Sequence, residues 1–97
     1  MFYLVEDQGV TIDKDPSASH RYGLNVAKQL ADGDVVNGVT ATASGGVTAS
    51  SPQVAGTVVS ARVDGGTVGQ VGAVTFRWTT QAGDTDDWTL FFNITER

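Results

Sequence analysis

The chain has 97 residues, 11 acids against 6 bases for a net charge of -5, and no cysteine. A chain this short encloses one modest core, which excludes a second domain, and the lack of cysteine excludes a disulfide framework or a thiolate metal site. The four arginines are scattered at Arg21, Arg62, Arg77 and Arg97, whereas a phosphate backbone needs a concentrated basic face, so nucleic acid is not an expected partner.

Leu, Ile, Val and Phe supply 24 residues, enough to predict a folded chain rather than a disordered one. Fourteen valines, twelve threonines and twelve glycines predict strands joined by glycine turns. The start, Met1-Phe2-Tyr3-Leu4-Val5-Glu6-Asp7, has neither the basic opening nor the apolar length of an export signal, and no stretch reaches transmembrane length. Synthesis without an export signal, and no membrane partner, are the expectations.

Residues 1-12 read as an N-terminal extension or edge strand, and residues 13-97 as the domain proper. Asp13-Lys14-Asp15-Pro16-Ser17 reads as an extended segment and turn, because Pro16 disfavours helix at Asp15. Tyr22, Leu24 and Val26 alternate with Gly23 and Asn25, the period of a half-buried strand. A helical turn through Ala27-Lys28-Gln29-Leu30 gives way to turn chemistry at Ala31-Asp32-Gly33-Asp34.

Val36, Val39 and Ala41 break period two at their first step. Asn37-Gly38 resolves this either as a hairpin turn or as a bulge within one strand. The bulge is preferred, because Val35-Val36 is too short for a hairpin arm. Ser44-Gly45-Gly46 reads as a turn, Val47 to Ser50 as a short strand closed by Ser51-Pro52, and residues 42-51, rich in small side chains, as a weakly packed, mobile region.

Val59, Ala61 and Val63 alternate up to Gly65-Gly66. Val74, Phe76 and Trp78 form one further face, and Trp88, Leu90, Phe92 and Ile94 another, with Phe91 on the opposite side of the last strand. These last two strands carry most of the large side chains and are the predicted core. The rhythm predicts an immunoglobulin-like antiparallel β-sandwich of about seven strands. A small OB-type barrel is the alternative architecture.

No constellation demands catalysis. Asp84, Asp86 and Asp87 beside Gly83 invite a calcium reading, but they lack the EF-hand pattern, and acids in a hairpin connection are ordinary turn formers. His20, near Ser17 and Ser19, has no nucleophile elbow to serve, and a surface position is expected for it. Gly65-Gly66-Thr67-Val68-Gly69 lacks the lysine and helix of a phosphate loop, so its glycines are expected to supply positive φ in a turn. Asn93-Ile94-Thr95 matches a glycosylation acceptor, without consequence absent a secretory route. No catalytic, cofactor-binding or metal-binding residue is assigned.

The order Lys14-Asp15-Pro16, Tyr22-Gly23-Leu24-Asn25-Val26, Leu30, Gly33-Asp34-Val35-Val36, Gly65-Gly66-Thr67-Val68-Gly69 and Thr79-Thr80-Gln81-Ala82-Gly83-Asp84-Thr85-Asp86-Asp87 resembles the fiber-tail adaptor family of tailed phages and prophages, over residues 13-95. Its most specific elements are Gly-Gly-Thr-x-x-Gly and the Thr-Thr-x-x-Gly-x-Thr-Asp-Asp block. Family members usually carry tryptophan where this chain has Val26 and Ala41.

The resemblance implies an immunoglobulin-like structural component of the virion, made in the bacterial host cytoplasm. It implies action by protein-protein contact with other virion proteins of the tail, fiber or connector, and leaves a homo-oligomer open. It implies no cofactor. The runner-up is a β-sandwich module that binds carbohydrate or a host surface, for which Trp88 and Phe91 are the residues to watch.

Overall fold

The computed structural model describes residues 2-5 and 11-96. These residues form eight strands: β1 (Phe2–Val5), β2 (Thr11–Lys14), β3 (His20–Asn25), β4 (Val36–Ser44), β5 (Val47–Ala55), β6 (Val58–Gly65), β7 (Val71–Thr80) and β8 (Thr85–Ile94). One sheet has the order β1-β3-β6-β5 and the other β2-β8-β7-β4. With β1 and β2 taken as two halves of one first strand, this is the immunoglobulin constant-type order, its leading strand shared between the sheets.

That division accounts for the departures from an antiparallel sandwich of about seven strands. The eighth strand is the second half of the first. The two halves pair in parallel, β1 with β3 and β2 with β8, while the other pairings are antiparallel. Neither parallel pair needs a helical crossover, because the chain passes through the opposite sheet between β1 and β3 and between β2 and β8.

The core lies between the sheets. Tyr22, Leu24 and Val26 from one side meet Val74, Phe76, Trp78, Trp88, Leu90, Phe92 and Ile94 from the other, all buried. Tyr22 and Phe92 cross edge-on, with ring centroids 4.9 Å apart. Val26 is fully buried and Ala41 packs against the cluster, so the core closes without tryptophan at either position.

Asn37 forms the expected bulge: β4 shifts register against β7 between Val36 and Gly38, which lets Val36 and Val39 both face the core. The glycines Gly65, Gly66 and Gly69 have positive φ, and a 3-10 turn covers Ala27–Gln29. Ser51-Pro52 does not end β5. The strand continues to Ala55 through a bulge with Ser51 at φ 51. β5 is a sheet edge, where the missing Pro52 donor costs no ladder bond, and Arg21 Nη1 holds the Ser51 carbonyl at 3.0 Å. Residues 42-51 span the end of β4, the Gly45-Gly46 turn and the start of β5, where the chain passes from one sheet to the other, with Val47 buried.

Candidate functional site

The resembling motifs meet in pairs at opposite ends of the sandwich. At one end, Lys14 follows Ile12 on the inward side of β2 and is 1% exposed. Its Nζ donates to the Gly65 carbonyl at 2.6 Å and to that of Asp15 at 3.0 Å. Burial holds its pKa below the ordinary 10.5, against the pull of the Asp64 and Asp15 carboxylates. A Cβ on Gly66, φ 117, would lie 2.6 Å from Ile94 Cδ1, so glycine lets this loop close over the core.

His20 lies in the same corner, and the expectation of a surface position is corrected. Its inward parity on β3 carries the ring against Tyr3, centroids 5.2 Å apart, and Tyr22, 6.3 Å apart. Its Nδ1 is buried without a hydrogen bond. Ser19 Oγ is instead engaged by Arg62 Nη1 at 3.2 Å, and Ser17 contributes a backbone N–H to Asp15 Oδ1. The crevice among Tyr3, Lys14, His20 and Tyr22 encloses about 40 Å³, far below the several hundred of a metabolite site.

At the other end, Asp34 joins two loops. Its Oδ1 accepts from the N–H of Val35 at 2.9 Å and of Ala82 at 3.1 Å, and Gln81 N–H donates to the Val35 carbonyl at 3.0 Å. The Thr80 side chain foremost, then these amides, hold the Asp34 carboxyl below the usual 3.8. The β7–β8 turn closes through Thr80 N–H to the Asp84 carbonyl and Asp84 N–H to Thr80 Oγ1. Gly83 takes φ 96 there.

The three acids of this region are not brought together. Asp84 lies in the turn, whereas Asp86 and Asp87 are consecutive on β8, so their side chains leave opposite faces. Asp87 pairs with Arg77 across the strands at 3.6 Å. An open depression of about 300 Å³ runs between Asp32, Gly33, Asp34 and Gln81, Ala82.

The remaining chemistry is on the two outer faces. On the first sheet Phe2 and Leu4 point outward, 51% and 47% exposed, and the Phe2 ring lies over Gly23, where a Cβ would meet it at 2.6 Å. On the second sheet Val71 and Phe91 are 57% and 42% exposed. Phe91 is flanked in register by Thr11 and Ala73, not by acids. Sequence periodicity places Phe91 outward; the roles of Lys14 and Asp34 go unread, although the inward parity of Lys14 after Ile12 marks it.

Among solved structures, the cysteine protease inhibitor EhICP2 from Entamoeba histolytica is similar in fold, with a TM-score of 0.58 over 96% of this chain and 94% of that one, at 9% identity. At that identity the likeness concerns the fold alone. No curated protein matches. Among the described residues no helix is long and apolar enough to cross a membrane. The model of one family, described as Podophage GP4 fiber-tail adaptor protein gp77, matches residues 14–93. That span includes both pairs of joined motifs, Lys14 with the Gly65-Gly66 loop and Asp34 with the β7–β8 turn, and the chain belongs to this family of phage fiber-tail adaptor proteins.

Proposed function

We propose that the chain is a non-enzymatic adaptor of the phage particle that acts by protein-protein contact, holding one neighbour on each outer face of the sandwich. The observation that carries this reading is the placement of exposed apolar side chains, Phe2 and Leu4 on one sheet and Val71 and Phe91 on the other. Bridging two partners requires two separate contact surfaces, and exposed apolar groups on a small domain mark such surfaces. The neighbours expected from the family are tail or fiber proteins.

The test is a phage deleted for this gene. Its particles should package DNA and lack fibers, and supplying the chain in trans should restore them. Supplying Leu4→Asp, which charges one outer face without touching the core, should restore them poorly. Deleted particles with a full complement of fibers would overturn the reading.

A further inference from the structure

Each sheet has two edges, and three of the four are blunted against further pairing. β1 and β2 are four residues each, and β5 is interrupted at Ser51-Pro52, where Ser51 turns to φ 51 and the register against β6 shifts. Short strands, proline and bulges are the devices that keep an edge from taking another strand. β4 lacks them beyond its bulge at Asn37. From Gly38 to Ser44 it pairs without interruption with β7 and holds neither charge nor proline. It ends the order β2-β8-β7-β4, and among the described residues no strand pairs with its other side. Alternate residues of an edge strand turn both N–H and C=O away from the sheet, so this run presents the backbone groups of about three or four residues on its free side.

Beside this edge the outer face is hollow. Gly38 has no side chain, and Gly38, Val39, Thr40, Arg77 and Thr79 line an open depression of about 450 Å³. A residue directly opposite Gly38 on a strand added next to β4 would stand about 5 Å from it, and its side chain would lean over the hollow. A large, usually aromatic, side chain is what covers an edge glycine in this arrangement. The exposed Arg77 side chain offers its stem and guanidinium to such a ring.

We propose that β4 takes an extended segment of another protein as an added strand, with a large apolar or aromatic residue of that segment held in the depression at Gly38. The row of backbone groups selects an extended segment, because alternating donors and acceptors are matched by another extended backbone. A second copy of this chain fits worse. Its β1 and β2 are too short and its β5 is bulged, while its β4 would bring only Gly38, Thr40, Thr42 and Ser44, all small, to a hollow that needs bulk. The net charge of -5 also favours a segment with basic residues over a second acidic copy. The inference goes beyond the adaptor reading by naming a mode of contact, and rests on that reading only for the donor being a virion protein.

The test selects a displayed library of random nine-residue peptides on the full chain and compares the enriched peptides on wild type and Gly38→Phe. A Cβ at Gly38 meets only Thr79 Oγ1, at 3.8 Å, so the variant fills the hollow and leaves the fold intact, which unchanged melting checks. Enriched peptides should share a large apolar residue at one position and bind the variant at least about tenfold more weakly. Saturation with the best peptide should slow amide exchange along Gly38 to Ser44. N-methylation of one alternate set of its amides should abolish binding, and of the other set should spare it, as strand addition requires. Should Gly38→Phe melt lower than wild type, the exchange and N-methylation results decide alone. No enrichment, peptides indifferent to Gly38→Phe, protection away from β4, or a free chain that self-pairs through β4 overturns the inference. A chain that takes such peptides but is absent from particles contradicts the adaptor reading alone; a chain present in particles whose peptides ignore β4 contradicts this inference alone.

Discussion

Lys14 Nζ donates to the Gly65 carbonyl at 2.6 Å, and this bond ties β2 at the edge of one sheet to the end of β6 in the other. A cation buried at 1% exposure is tolerated because two carbonyls receive it and the Asp64 and Asp15 carboxylates stand near. Lys14→Ala removes the donor, leaves the carbonyls unpaired and opens a cavity, and should cost about 2-4 kcal/mol in urea unfolding. Lys14→Met keeps most of the volume and should cost less. Because the folded state holds this pKa below 10.5, the unfolded chain binds the proton more tightly. Wild-type stability should therefore rise relative to Lys14→Met as pH climbs through the window just below 10.5.

Phe92 fills the centre of the core and meets Tyr22 edge-on. Phe92→Ala should lower stability by about 3-5 kcal/mol, a large share of the total for so small a domain, whereas Phe91→Ala on the outward side of β8 should change it by less than about 1 kcal/mol. Chemical denaturation of both variants measures the contrast.

Asp34 predicts an acid-side effect. Its carboxyl is held below 3.8 by the Thr80 side chain and two amides, so the native state favours the ionised form. The stability this contributes is complete above 3.8 and is lost as pH falls through the lower folded value. Thermal melts of wild type and Asp34→Asn should differ most above that pH and converge below it.

Gly83 and Asp84 separate a turn from a metal site. Nothing lies within 4 Å of a Cβ at Gly83, so only its φ of 96 opposes a side chain. Gly83→Val should cost about 1-3 kcal/mol, and Asp84→Asn should be mild, since Asp84 closes the turn through its backbone groups. Millimolar calcium should move the melting temperature no more than matched magnesium does. A calcium-specific rise abolished by Asp84→Asn would contradict this account.

Where side chains alternate, the sequence was sufficient. Tyr22, Leu24 and Val26 and the Trp88-Leu90-Phe92-Ile94 run face the core as period two requires, and the parity break at Val36 and Val39 locates the Asn37 bulge. What escaped has a tertiary cause. The parallel pairing of β1 with β3 and of β2 with β8 depends on partners distant in the sequence, with no local pattern to announce it. Pro52 reads as a strand stop, and only its place on an edge lets β5 run on. His20 reads as a surface residue and Lys14 only as part of an extended segment, until the fold turns both inward and the tyrosines and the Gly65 loop supply partners. The exposure of Phe91 was legible, but the depression at Gly38 arises only once β4 pairs with β7.

Cross-linking mass spectrometry of purified virions decides whether this chain is an adaptor held in the particle between two neighbours. An adaptor so held is present in fixed stoichiometry with the tail and cross-links to one neighbour from the Phe2–Leu4 side and to another from the Phe91 side. Absence of the chain from intact, infective particles would contradict it.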